Sequence, residues 1–275
     1  MSRPFRVYGA FMKNIPKAIV KRILYEVYER RLAQKLLLGP APRHLGVILD
    51  GNRRYAKSLG LPIVEGHKYG AKKVKQLFSW CIEFKIPVVT VWGFSTQNFS
   101  REPSEVKALM DIIVEQAKAM MLDEDFKKHD IRVKVIGRTE QMPEEVQRAL
   151  AELETTTAER KGMLVQLALG YGGREEIVDA AKAYLTSAEQ SGKSFGEAVN
   201  GLTEESLSAN LYSCNVPDPD FIIRTSGEVR LSGFLLWQAA YSEYYFLDVN
   251  WPAFRRIDFL RALRSFQARQ RRFGK

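Results

Sequence analysis

Five short strand-like runs, mostly apolar, alternate along this chain with longer stretches of helical period. The runs are Leu45–Leu49, Val88–Trp92, Arg132–Ile136, Met163–Leu169 and Phe221–Arg224, and the helix-like stretches cover roughly 71–84, 104–122, 143–160, 174–186 and 258–269. Near-continuous apolar runs are what strands buried on both faces require. Their alternation with helices predicts an α/β fold: a central parallel sheet flanked by helices, with right-handed crossovers. In open parallel sheets ligands gather beyond the carboxyl ends of the strands. Asp50, the segment Trp92-Gly93-Phe94-Ser95 and Arg224 all stand at or just after such ends. Segment 187–203, rich in Ser, Gly, Lys and Asn, reads as a loop.

Charge is distributed unevenly. Residues 1–43 carry ten Lys/Arg against two Glu, and residues 252–275 carry eight against one Asp, so within a net charge of +10 the intervening body is acidic. Basic ends on an acidic body argue against a nucleic-acid groove and fit a face turned to an anionic membrane or a partner subunit. Ile15, Ile19, Ile23, Val27, Leu32 and Leu36 recur at helical spacing among Lys13, Lys17, Lys21, Arg30, Arg31 and Lys35, which predicts a basic amphipathic helix over 14–38. Gly39-Pro40-Ala41-Pro42 ends it. The expected organisation is therefore a helix and linker over 1–43 and a catalytic domain over 44–275. Cys81 and Cys214 lack metal-ligand spacing and read as core residues of a reducing compartment. No run reaches the ~20 apolar residues of a membrane span, so the expected location is cytoplasmic, with peripheral contact at a membrane surface.

The chemistry concentrates in two clusters. His44–Tyr55 ends an apolar strand in Asp50 and follows it with Gly51, Asn52, Arg53 and Arg54. The carboxylate can meet a metal ion, the glycine lets backbone N–H groups approach phosphate, and the arginines can grip phosphate oxygens in a bidentate fork. Taken singly, Asp50 also reads as a helix cap or turn aspartate and the arginines as a solvated surface pair. The second cluster, Arg224 to Ser232, brings Arg224, Arg230 and Ser232 onto one anion if Ser226-Gly227 turns tightly, and Glu243 follows as a metal candidate whose plain alternative is a surface carboxylate. Two anion sites and two candidate metal carboxylates point to chemistry on a Mg2+–diphosphate. His67 can donate to a phosphate, whereas His44 and His129 read as structural. The loop Gly93–Arg101 supplies a hydroxyl, an amide, two aromatics and an arginine that can orient an oxygen, relay a proton or line an apolar path.

Together these residues resemble the cis-prenyltransferase family, typified by undecaprenyl and dehydrodolichyl diphosphate synthases. The resemblance rests on HLGVILDGNRRYA, EGHKYGA, GFSTQNFSREPSEV, GYGGREEI, DFIIRTSGEVRLSGFLLWQAAYSEYYF and the terminal RRFG, and spans about 44–274. It implies an apolar tunnel between sheet and helices, Mg2+ as cofactor, and condensation of an allylic diphosphate with isopentenyl diphosphate units to a cis-polyprenyl diphosphate. By matching motif, Asp50, Ser95 and Asn98 would be catalytic. Gly51, Asn52, Arg53, Arg54 and His67 would hold the allylic diphosphate. Arg101, Arg224, Arg230 and Ser232 would hold isopentenyl diphosphate, with Phe94 and Phe99 against the prenyl chains and Asp50 and Glu243 at the metal. Arg272-Phe273-Gly274 resembles a tail that completes the partner's site in a homodimer.

Three positions depart from the family pattern. Ile63 stands where an arginine is common, so that phosphate contact is absent or supplied by Arg53; Gln97 replaces a common glutamate and Gly170 a common asparagine. A non-catalytic partner subunit is the alternative reading. Such relatives lose one of the two phosphate blocks, and this chain has both. Product length would depend on tunnel-floor candidates Ala108, Leu109, Ile112, Ile113, Val133 and Val135.

Overall fold

The computed structural model describes residues 17–269. These form two compact units, one over Ala41–Arg256 and one joining the described parts of 1–40 and 257–275. In the smaller unit, helix α1 (Lys17–Leu36) buries Leu32, Ala33 and Leu36. Val27, on the expected apolar stripe, is exposed together with Leu24 and Tyr28, so that stripe is not continuous. Its Ile15, like the terminal Arg272-Phe273-Gly274, lies outside the described residues.

The larger unit carries the sheet. Strand β1 (His44–Ile48) leads into α2 (Asn52–Ser58) and α3 (Ile63–Glu83); β2 (Val88–Ser95) runs through a short 3-10 turn, Thr96–Ser100, into α4 (Pro103–Leu122) and α5 (Glu124–Lys128). Then follow β3 (Arg132–Ile136), α6 (Glu144–Thr157), β4 (Leu164–Tyr171), α7 (Gly173–Gln190), the short α8 (Phe195–Asn200) and α9 (Glu204–Ser208), β5 (Phe221–Arg224), and β6 (Glu243–Phe246); α10 (Arg256–Ala268) continues into the smaller unit. Within that unit, Arg264 donates to the Tyr28 hydroxyl at 3.1 Å and Gln267 to the carbonyls of Leu36 and Pro40.

All six strands pair in parallel, in the order β3-β4-β2-β1-β5-β6. The register aligns Ile136, Ala168, Trp92, Ile48 and Arg224 in one row near the carboxyl ends. Register partners share a face, and on this face Ile48, Ala168 and Ile136 pack with Tyr171, Phe234 and Leu235. Val91, Leu167 and Leu169 face the other way, toward Val74 of α3, Ile112 of α4 and Leu150 of α6.

The expected parallel α/β architecture is present, with three local differences. Helix α3 begins at Ile63, well before 71, because Gly66 and Gly70 are packing glycines inside a helix: a Cβ would come within 2.2 Å of the Asn52 carbonyl and 2.1 Å of Asn52 Oδ1 respectively. Segment 187–203 is not all loop, since Ser194 and Glu197 close a capping box on α8. A sixth strand, β6, adds an edge at Glu243–Phe246.

Candidate active site

A cavity of about 800 Å³ opens at the carboxyl ends of β1, β2 and β5, lined by Asp50, Arg53, Arg54, His67, Ser95, Asn98, Arg101 and Arg224 among others. Gly51 shapes its floor. At φ 104° it occupies a conformation that favours glycine, and a Cβ there would lie 2.5 Å from Asn250 Oδ1. The turn brings the Asp50 carboxylate against cations on two sides: Arg224 Nη2 at 2.9 Å and Arg54 Nη2 at 3.5 Å. Burial pushes the Asp50 pKa up, but hydrogen bonds from Arg224 and Ser226 and the charges of Arg224 and Arg54 outweigh it, leaving the carboxyl below its ordinary range.

Ser226 and Gly227 both have positive φ, 80° and 77°, and make the tight turn that the second cluster needs. Arg224, almost fully buried, donates to Ser232 Oγ at 2.9 Å and to the Arg230 carbonyl. Arg224 and Ser232 therefore meet at the cavity. The Arg230 guanidinium does not join them, because it pairs with Glu228.

Across the cavity, His67 and Glu105 form a buried pair, with Nε2 3.1 Å from Oε1. The same oxygen accepts from Arg101 at 2.8 Å and lies 3.8 Å from Arg53 Nε. Burial lowers the His67 pKa, and Glu105 only partly opposes it. A neutral imidazole facing a carboxylate carries its proton on Nε2, which leaves Nδ1 as an acceptor. Burial also acts on Glu105, upward, but its His67 hydrogen bond and the charges of Arg101 and Arg53 bring it below the usual value. Next to this pair, Asn98 Oδ1 accepts the Ser95 backbone N–H at 3.0 Å and Ser95 returns the bond, which fixes the mutual position of the two residues. Phe94 and Phe99 meet edge to face at 4.8 Å, yet only Phe94 lines the cavity; Phe99 borders a separate groove.

Behind His67 the cavity continues into an apolar chamber of about 120 Å³. Of the expected floor residues, Leu109, Ile112 and Ile113 line it, while Ala108, Val133 and Val135 do not; Gln116, Ala117, Met120 and Leu150 take their place. Helical spacing from Ile112 and Ile113 points to 116 and 120, so the signal was available for α4.

Glu243 does not join Asp50 within this chain. It starts β6 opposite Phe221, which is opposite Leu45, whereas Asp50 lies five residues beyond Leu45 at the other end of the sheet. The two therefore stand toward opposite ends of the strands, and Glu243 does not line the cavity that holds Asp50. Among the described residues no three His, Cys, Asp or Glu side chains gather as a metal site. Asp50 alone fits a Mg2+ ion, which binds through one or two carboxylates plus substrate phosphates and water.

Sequence reasoning missed Glu105 and Glu228. Neither was singled out, because each stands among ordinary polar residues of a helix start or turn.

Comparison with known proteins places the chain in a family. Residues 48–274 match the family described as "Putative undecaprenyl diphosphate synthase". An isoprenyl transferase of Thermus thermophilus is 56% identical over 93% of this chain and 97% of its own length. A tritrans,polycis-undecaprenyl-diphosphate synthase (geranylgeranyl-diphosphate specific) of Thermococcus kodakarensis is 44% identical over 96% and 100%. The crystal structure of lavandulyl diphosphate synthase from Lavandula x intermedia, in complex with dimethylallyl diphosphate, superposes with a TM-score of 0.78 at 35% identity, covering 85% of this chain and 98% of that one. This chain belongs to the undecaprenyl diphosphate synthase family of cis-prenyltransferases.

Proposed function

We infer that this chain is a catalytic prenyl chain-elongating transferase that joins an allylic diphosphate to isopentenyl diphosphate units with cis geometry. The observation that carries this reading is the contiguity of a guanidinium-lined cavity with an apolar chamber, the two sharing Leu49, Asn52, His67, Gly93 and Leu109 as walls. Diphosphate fits the first and a prenyl tail the second. Each elongation breaks the allylic C1–O bond, forms a bond from C1 to the terminal alkene carbon of isopentenyl diphosphate, and removes a proton from its C2.

Arg53, Arg54 and His67 would hold the allylic diphosphate, and its arriving charge would raise the His67 pKa and turn the imidazole into a donor. Arg224, Ser232 and Arg101 would hold isopentenyl diphosphate, joined by Arg230 once its guanidinium leaves Glu228. Arg53 also supports the idea that it replaces an arginine at 63, since Arg53 and Ile63 line the same cavity. Asp50 would hold Mg2+, which when bound supplies charge neutralisation for the departing diphosphate. Ser95 and Asn98 would position the isopentenyl group where its C2 proton is lost. The apolar chamber would keep water from the reacting carbon, and Gln116, Met120 and Leu150 would limit the chain.

The exposed Val229 and Tyr241 in the turns before β6, 74% and 91% exposed, support a homodimer. Exposed Leu24 and Val27 beside Arg30, Arg31 and Lys35 support contact of α1 with an anionic membrane surface. A monomer mass by light scattering would remove the first, and failure to sediment with anionic vesicles the second. Among the described residues no helix is long and apolar enough to cross a membrane.

Incubation with Mg2+, labelled isopentenyl diphosphate and starters of five to twenty carbons, with products resolved by carbon number, tests the reading. A discrete product with at least one starter is expected. Its absence from folded protein with every starter would transfer the chain to the partner-subunit class.

A further inference from the structure

Glu228 stands outside the lining of the cavity, between Arg54, which lines it, and Arg230, which does not. Its Oε1 lies 3.1 Å from Arg54 Nη2, and its other oxygen accepts from Arg230 Nη1. The turn that presents it is anchored away from the cavity, with Ser226 N–H donating to the Val249 carbonyl at 2.8 Å and Gly227 N–H to the Leu247 carbonyl at 2.9 Å. Arg54 is fully engaged: besides Glu228 and Asp50, it donates to the Ser226 carbonyl and Ser226 Oγ, both at 3.0 Å. The Arg54 and Arg230 side chains are 49% and 60% exposed. Ion pairs that exposed are weak and exchangeable, unlike the buried Arg224–Asp50 pair.

We propose that the Glu228 carboxylate is an internal stand-in for diphosphate, and that by bridging Arg54 and Arg230 it couples the binding of the two substrates. This rests on the reading above that Arg54 serves the allylic diphosphate and Arg230 the isopentenyl diphosphate. With Arg54 taken by a diphosphate, Glu228 loses one cation and meets a like charge, so it withdraws and leaves Arg230 free. The first anion thereby improves the site of the second, against the repulsion that two diphosphates would otherwise feel. Such coupling is reciprocal.

The sign of a neutralising substitution separates this role from a structural one. Removing a merely structural ion pair weakens ligand binding, whereas removing an internal competitor strengthens it. The experiment is calorimetric titration of the full chain and Glu228→Gln with inorganic pyrophosphate in EDTA. A second titration uses isopentenyl diphosphate with and without a non-reacting allylic thiodiphosphate. Expected are pyrophosphate binding about three- to tenfold tighter in Glu228→Gln, in line with displacing an exposed pair, and loss of most of the enhancement that the allylic analogue gives the wild type. Equal or weaker pyrophosphate binding by a variant with wild-type thermal melting would overturn the proposal, as would unchanged coupling. If Glu228→Gln does not fold, Glu228→Asp, too short to span both arginines, carries the same prediction. Wild-type protein that binds no isopentenyl diphosphate would instead refute the assignment of the sites, while normal turnover with unchanged Glu228→Gln binding would refute this coupling alone.

Discussion

Arginines crowd the cavity, and the partner of each guanidinium decides what it can do there. Arg224 is buried against Asp50, Arg101 is held by Glu105, and Arg54 and Arg230 share Glu228. Glu105 holds three candidate phosphate contacts at once, Arg53 and His67 on the proposed allylic side and Arg101 on the isopentenyl side. Glu105→Gln should lower kcat on the order of tenfold through loss of charge-assisted hydrogen bonds. It should also lower the His67 pKa further, since Glu105 supports the protonated imidazole. NMR titration of the His67 ring checks the direction, and an upward shift would contradict the pairing. At this scale the sequence was legible where chemistry forces a rare pattern, as in Asp50-Gly51-Asn52-Arg53-Arg54. It was silent where burial decides: Glu105 in a Pro-Ser-Glu helix start looks like any first-turn acid, and only its contact with His67, 38 positions away, distinguishes it.

Among the elements, the β1–α2 junction carries the most constraint, because one glycine sets both the Asp50 carboxylate and the start of the helix. Gly51→Ala should cost about 1–3 kcal/mol of stability, from a positive φ that alanine resists and a Cβ driven into Asn250. Chemical denaturation measures it, and a neutral result would mean that the turn can reach another conformation. Strands β1, β2, β4 and β5 were legible because parallel strands covered on both faces are largely apolar, and β3, which carries Arg132 and Lys134, from its place between two helical stretches. Strand β6 was not: Glu-Tyr-Tyr-Phe is half-buried at an edge, and its register, which removes Glu243 from Asp50, comes from tertiary pairing alone. The start of α3 was hidden by Gly66 and Gly70, which look like loop residues until the backbone of Asn52 is seen to pack against them.

For the whole molecule, stability should fall on the acid side in two separate windows. His44, read from sequence only as structural, is buried with Nδ1 2.6 Å from the Pro217 carbonyl and Nε2 2.7 Å from Thr90 Oγ1. Burial lowers its pKa from 6.5 to about 4, against the opposing Pro217 hydrogen bond and Asp220 charge. Between those values the unfolded chain binds a proton that the native chain does not. The His44 contribution is therefore whole above about pH 6.5 and shrinks as pH falls toward 4, by about 3 kcal/mol. His67 acts in the same direction. The depressed Asp50 contributes lower down: its stabilisation is present above its unfolded value and is lost as pH falls through the folded one. Urea denaturation from pH 7 to 4 should show the first loss, and His44→Asn should flatten it. An unchanged slope in that variant would assign the loss to other groups.

The central claim is that one chain, through the anion site at Asp50 and Arg224, carries out prenyl elongation. The most direct measurement is a single-turnover reaction of purified protein with Mg2+, an accepted allylic starter and labelled isopentenyl diphosphate, run beside Asp50→Ala and Arg224→Ala. Label should enter a longer prenyl diphosphate with a cis double bond in the wild type and fall at least about a hundredfold in each variant, the scale expected for losing a group that stabilises developing charge. Trans product, or incorporation unaffected by either substitution, would contradict the account.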